Sequence, residues 1–306
     1  MHAMRIWSVV LQILTLFMLI GCGVFLRKKK IFTDPVIKGV NTTILTLVWP
    51  SMVLMTTQKQ LSSDLIGGFF RVLIFSALLM AVLSILLLVL CKRWLNENRL
   101  PVFIGLCALP NAGFVGLPLV SAFYGDLGLA YLSAYIVGFN LILWTLYPII
   151  FQDKSTNPLK SALNVSMLFC FVAIMLFAFQ IRIPEPFSSL LNQLGALTTP
   201  LSMLLLGSRL LESINVKKLF DKALLSAVGI RLLLFPLAIY GLMRLIGLNG
   251  MELGVMVLAS AMPCANAVQM FAEKHDKDYG LAAQGISISL LLCLITIPCI
   301  LLVTGL

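Results

Sequence analysis

Nine stretches of this chain, each at least 20 residues long, contain no charged side chain: 6–26, 39–58, 72–91, 100–125, 127–152, 161–181, 186–208, 253–272 and 279–306. A helix of about 20 residues crosses the roughly 30 Å of hydrocarbon in a bilayer. A tenth stretch, 223–243, is interrupted only by Arg231. Apolar residues make up 60% of the chain and charged residues 11%, against about 25% charged in soluble domains. The expectation is an all-α integral membrane protein with ten transmembrane helices and one membrane domain over 1–306. Strands of a membrane barrel would be about 10 residues long and alternating, and nothing here alternates.

The two halves carry the same punctuation. Pro50, Pro110, Gly128 and Pro148 recur as Pro200, Pro263, Gly280 and Pro298, at shifts of 150, 153, 152 and 150 residues. Gly128-Leu129-Ala130 likewise recurs as Gly280-Leu281-Ala282. Duplicated apolar halves with an interrupted segment at matching places are a mark of secondary transporters. The repeats run over about 1–153 and 154–306, with five spans each. An odd number of spans inverts the second repeat relative to the first.

Charge placement sets an orientation. With the N-terminus outside, Arg27–Lys30, Lys92, Arg93, Arg99, Lys154, Lys160, Arg209, Lys217, Lys218, Lys222, Lys274 and Lys277 fall inside, and Arg5, Lys59, Arg71, Arg182 and Arg244 outside, fifteen against five. That bias predicts both termini outside a cell inner membrane. It also absorbs most of the net charge of +10, so anionic membrane lipid is the expected partner and nucleic acid is not. Leu19-Ile20-Gly21-Cys22 resembles a lipoprotein cleavage box, but a first transmembrane helix stopped by Arg27–Lys30 fits the repeat better.

Nothing points to an enzyme or to a cofactor. The seven cysteines are scattered through apolar spans without metal-ligand spacing, as small packing residues are. His2 and His275 form no constellation with them, and no nucleotide-binding motif is present.

The chemistry falls at two interrupted spans. The fourth contains Pro110-Asn111-Ala112-Gly113, and the ninth Pro263-Cys264-Ala265-Asn266. Proline removes a backbone donor and clashes with the preceding turn. Unwound backbone at membrane depth persists only when buried in protein or facing water. Two ordinary proline kinks would read the same way singly; their matched positions favour a substrate site. Helix segments starting after each break would turn positive dipole ends toward one point, where Asn111 and Asn266 can donate to a carboxylate. Asn140 and Gln284 either line the same cavity or bond neighbouring helices. Arg231, the one mid-span charge, attracts or holds an anion, bonds the helix-break carbonyls, or lies against the inner water cavity.

Leu109–Phe123, with its Asn-x-Gly-x-x-Gly-x-Pro pattern at Asn111–Pro118, together with Trp49-Pro50, Pro148, Pro200, Pro263–Ala283 and Pro298, resembles the auxin efflux carrier family. Its bacterial members include proteins assigned as malate and malonate permeases, and its plant members export auxin. The resemblance implies two inverted five-helix repeats whose fourth and ninth helices cross at their breaks. It further implies a scaffold domain of helices 1, 2, 6 and 7 and an elevator-type transport domain of helices 3–5 and 8–10, often paired as a homodimer. The central loop, about Gln152 to Lys160, is too short for the regulatory domain of plant carriers.

The reading is therefore a carrier for a small organic anion, a mono- or dicarboxylate of the auxin, malate or malonate class, working by alternating access. The alternative is a non-transporting sensor or a channel of the same fold. Glu252 and Asp126 stand at the outer ends of their spans, which disfavours a deep carboxylate proton relay. Sodium held by carbonyl and hydroxyl oxygens, or uncoupled export of a monoanion worth about 2.3 kcal/mol per 100 mV, remain open as driving forces. The topology has a direct check: a reporter active only in the cytoplasm, fused after Leu306, is expected to be silent, and a bright fusion refutes the inverted repeat.

Overall fold

The computed structural model describes residues 2–58, 63–151, 165–213 and 221–305, and these are helical throughout apart from turns and one isolated β-bridge. The central loop, Lys59, Lys217 and Lys218 lie outside the described residues. In chain order the helices are α1 (His2–Lys28), α2 (Asp34–Gln58), α3 (Ser63–Cys91), α4 (Leu100–Ala108), α5 (Leu117–Thr145), α6 (Val165–Ala178), α7 (Phe187–Ala196), α8 (Thr198–Ser213), α9 (Lys222–Leu245), α10 (Gly250–Ser260), α11 (Asn266–Lys274) and α12 (Tyr279–Thr304).

Six described helical runs are long and apolar enough to cross a membrane: Asp34–Gln58, Leu65–Cys91, Leu119–Ile150, Phe187–Arg209, Lys222–Leu245 and Tyr279–Thr304. Four of the ten expected spans are not among these six. The fourth and ninth are cut into shorter helices at Pro110 and Pro263, and the sixth is helical, among the described residues, over Val165–Ala178. The first lies within α1, which runs on through Leu19–Cys22. The run Leu119–Ile150 is itself broken at Gly125, where φ 61° and ψ −152° leave helical space.

Prolines write a second local signature. Among the described residues three π-turns occur, at Ile44–Val48, Ala112–Gly116 and Ile230–Leu234. Each ends two residues before a proline: Pro50, Pro118 and Pro236. A proline ring displaces the carbonyl four residues earlier. A turn widened by one residue removes that conflict and keeps the backbone bonded. Accordingly Trp49 N–H donates to Ile44 O and Phe235 N–H to Ile230 O, both five residues back.

The chain divides into two compact units. The first comprises Met1–Phe70, Gly113–Ala134 and Asn164–Glu212, and so carries the first, second, sixth and seventh spans. Here α6 and α7 pack on the Trp49–Gln58 half of α2, and Ile37, Ile44 and Leu205 form a core cluster. α1 and α8 approach at backbone distance. A Cβ on Gly23 would lie 2.1 Å from Leu204 O, and one on Gly207 2.0 Å from Ile20 O. Small residues permit such approaches where lipid offers no hydrophobic drive. Phe69 stacks on Phe177 with centroids 4.2 Å apart. Gln58 ties down the 181–183 loop through Nε2–H to Ile181 O (3.1 Å) and Oε1 from Ile183 N–H (3.0 Å).

The second unit comprises Arg71–Ala112, Tyr135–Leu163 and Ser213–Leu306. α4, α9 and α12 pack against one another, and α10 folds back on the second half of α9. Two ionic ties hold its helix ends. Arg71 grips Glu252 with both Nε (2.9 Å) and Nη2 (2.6 Å). Arg99 bonds Asp221 through Nη2 (2.5 Å) and faces Asp278 with Nε at 3.2 Å. Both carboxylates also cap helices: Asp221 accepts from Ala223 N–H and Leu224 N–H of α9, and Asp278 from Leu281 N–H of α12. The starts of α4, α9 and α12 thus meet on one guanidinium.

Partial burial pulls the Asp221 carboxyl upward, but the Arg99 hydrogen bond and charge, with the two amides, outweigh it and hold the group below its usual range. A depressed folded pKa means the contribution is present above the unfolded value, about 3.9, and is lost as pH falls through the folded one. Asp221→Asn keeps a competent cap and removes the charge. It is expected to lower the thermal midpoint at pH 7 and to flatten its fall between about pH 5 and pH 3; an unchanged acid limb would refute the clamp.

Candidate functional site

The two helix breaks meet inside the second unit. α4 ends at Ala108, and Leu109 takes extended values of φ −98° and ψ 109°. α10 ends at Ser260, and Ala265 is extended at φ −72° and ψ 137° before α11 begins. Pro110 and Cys264 form an antiparallel bridge. Asn111 N–H donates to Pro263 O at 2.7 Å, and Ala265 N–H to Leu109 O at 2.9 Å. The breaks are therefore not separate kinks: each supplies the hydrogen bonds the other lacks.

The remaining freed groups near the bridge also find partners. Leu106 O has lost its helical donor because residue 110 is proline, and the Cys264 thiol donates to it at 3.3 Å. Cys264 N–H donates to Ser289 Oγ of α12 at 3.0 Å, and Ser289 Oγ donates in turn to Ile286 O at 3.0 Å. Arg231 donates through Nη1 to Cys107 O at 3.2 Å and through Nη2 to Ser260 O. Its side chain is fully buried, with the Phe235 ring centroid 4.5 Å from Cζ. Of the three roles open to Arg231 in the sequence, both of these hydrogen bonds serve the helix-break carbonyls.

The other expected residues fall as follows. Asn111 is 5% exposed and Gln284 of α12 also 5%. Asn140 is 2% exposed and spends Nδ2–H on Ile136 O of its own helix at 2.9 Å. That bond is neither the cavity contact nor the bond to a neighbouring helix that its position suggested. Asn266 is partly exposed, but its Oδ1 is buried without a hydrogen-bond partner among the described residues. It opens α11 behind Ala265, which has no side-chain cap to offer, so the first amides of that helix lack a side-chain acceptor. Gly113 belongs to the first unit. A Cβ there would sit 2.0 Å from Trp49 Cη2, and Trp49 meets Phe114 edge-on at 4.9 Å. Gly113 is required by the indole.

Ser289, Ser260, Cys107 and Cys264 were not legible as site residues. Cys107 and Cys264 read as packing residues and both are completely buried, whereas Cys22 and Cys299 are exposed; Cys264 also closes a carbonyl left open by Pro110. A donor-bearing side chain directly after a break proline was the available signal. Ser289 has none, since only the fold brings α12 to the break. No cluster of metal-ligating side chains occurs among the described residues.

Known proteins place the chain. The sequence model of a membrane transport protein family matches residues 8–166 and 155–301. An uncharacterized transporter of Methanocaldococcus jannaschii is 27% identical over 297 residues, which cover 93% of this chain and 95% of the relative. An uncharacterized transporter of Methanothermobacter thermautotrophicus is 27% identical over 210 residues, 68% of this chain and 69% of the relative. With the family matched over nearly its whole length, and with relatives similar along the same span, this chain belongs to the membrane transport protein family that includes the auxin efflux carriers.

Proposed function

We propose that the protein carries a small organic anion, a mono- or dicarboxylate, by alternating access, with the substrate held at the crossing of the two helix breaks. The observation carrying this reading is the pairing of Pro110 with Cys264. It brings the start of α11 and the Asn111 backbone to one point inside a single unit. An uncapped helix start attracts negative charge. Asn266, with a buried amide oxygen lacking a partner, retains hydrogen-bonding capacity that a ligand can complete; its amide can turn either end toward that ligand. Asn111, Asn140 and Gln284 add neutral polar groups without the cost of a buried charge. No acidic residue touches the paired backbone among the described residues, so an organic cation finds no counter-charge there. The ten-helix inverted repeat with both termini outside, and the homodimer, remain part of the proposal.

Flux of labelled malonate, malate and indole-3-acetate in proteoliposomes tests it directly. Saturable carboxylate transport is expected, with no single-channel current and no competition from organic cations. Flux of none of these anions, or block by a cation, overturns the reading.

The breaks make a sharper case. Pro110→Ala with Pro263→Ala restores two backbone donors and lets α4 and α10 propagate past the crossing. Each proline in a helix interior opposes propagation by about 3 kcal/mol, so the double variant is expected to lose transport while retaining its level in the membrane. Undiminished flux would make the breaks incidental.

Substituting the asparagines reads the sign of the substrate. Asn111→Asp and Asn266→Asp are each expected to reduce carboxylate transport at pH 7 further than the matching alanine changes. Aspartate sets a like charge beside the anion and competes for the helix start, whereas alanine only removes a donor, worth about 1 kcal/mol. Aspartate tolerated better than alanine at both positions refutes an anion site.

A further inference from the structure

A crossing of broken helices presents ends of both signs. α11 brings a positive N-terminal end, but α4 and α10 bring C-terminal ends, each equivalent to about half a negative charge. Those two ends oppose an anion. Arg231 lies where they converge. It bonds Cys107 O in the last turn of α4 and Ser260 O at the last residue of α10. Both carbonyls stand three residues before a break proline, Pro110 and Pro263. Both have also lost their helical donors to the crossing. The amide four residues after Cys107 is that of Asn111, which goes to Pro263 O. The amide four residues after Ser260 is that of Cys264, which goes to Ser289 Oγ. One guanidinium takes the matching carbonyl in each repeat.

The charge on that guanidinium is not cancelled. Arg231 is fully buried, and no carboxylate pairs with it among the described residues. Its face lies on Phe235, and its Nε has no acceptor among the described residues. It sits in the π-turn Ile230–Leu234 that precedes Pro236, so its register is set by the same proline chemistry that breaks α4 and α10.

We infer that Arg231 is a tethered cation that fixes the anion preference of the crossing without touching the substrate. It neutralises the negative ends of α4 and α10 and leaves the positive end of α11 as the field a substrate meets. Arg231 is therefore a positioning and specificity-determining residue, and this role rests on the anion-carrier reading above. The fork geometry of arginine suits two carbonyls better than the point charge of lysine, but the sign of the charge is what matters for selectivity.

The test uses purified full-length protein and separates charge from hydrogen bonding. Arg231→Lys keeps the charge; Arg231→Gln keeps an amide donor and loses the charge. The readout is the preference for malonate and indole-3-acetate over their neutral amides, measured as a ratio of apparent affinities, alongside the thermal midpoint. Arg231→Lys is expected to hold the preference within about threefold of the parent, and Arg231→Gln to reduce it about tenfold or more, the loss of a charge-assisted interaction. A residue that only supports the fold would lower the midpoint in both variants and leave the ratio unchanged; that result, or Lys losing as much preference as Gln, overturns the inference.

Failure of the underlying reading looks different. If the parent itself shows no preference for carboxylates, the anion carrier falls, and the tethered cation is judged by stability alone. A higher midpoint for Lys than for Gln upholds only the neutralisation of the two helix ends and overturns the selectivity role; a Gln midpoint equal or higher overturns both. Should neither variant fold, Pro236→Ala keeps the arginine and lets the π-turn tighten. A fall of about tenfold in the preference is then expected, and an unchanged ratio overturns the geometry.

Discussion

Every backbone amide and carbonyl freed inside an apolar unit must find a partner within the protein, because no solvent is there to supply one. Breaking two helices frees several such groups at once. The structure answers by bringing the breaks together. Leu109 O and Pro263 O accept from Ala265 and Asn111 amides, Leu106 O from the Cys264 thiol, and Cys107 O and Ser260 O from Arg231. Removing any of these partners strands a buried polar group, at a cost of about 1–3 kcal/mol. The second unit is organised around this requirement: α9 delivers Arg231, α12 delivers Ser289, and α4, α10 and α11 provide the broken ends.

That requirement also explains why function can sit here. A continuous helix uses all of its interior groups on itself and has nothing left for a ligand. A broken pair closes most of its groups mutually but leaves the start of α11 without a side-chain cap, and leaves Asn266 with an unmet oxygen. The polar capacity that remains is small and localised. A binding site needs polar groups placed in this way against apolar walls, and a carrier needs one that can be vacated.

The ends of the second unit follow a different economy. Arg99 joins the starts of three helices through two carboxylates that are also N-caps, and Arg71 and Glu252 form a two-point tie between α3 and α10. Partly exposed ion pairs contribute little individually; charges that each serve a helix start and a shared guanidinium contribute geometry instead. Among its described residues the first unit has no such crossing and is held by close backbone packing at Gly23 and Gly207 and by aromatic contacts at Trp49 and Phe69.

Length and the absence of charge made the helices legible in the sequence, since an apolar stretch of about 20 residues has few other solutions. Pro110 and Pro263 marked both breaks, because a residue without an amide hydrogen cannot continue the ladder. The same reasoning allowed any of three roles for Arg231. The family resemblance already implied that the breaks cross; the tertiary structure alone decided that they pair backbone to backbone through Pro110 and Cys264, that Arg231 bonds a carbonyl on each, that Ser289 serves the crossing and that Gly113 serves Trp49 in the other unit. These depend on which helices become neighbours across separations such as 25 residues, between Cys264 and Ser289, and 124, between Cys107 and Arg231. Local propensity and periodicity carry no information about that choice; it is made by the packing that leaves the fewest buried groups without partners.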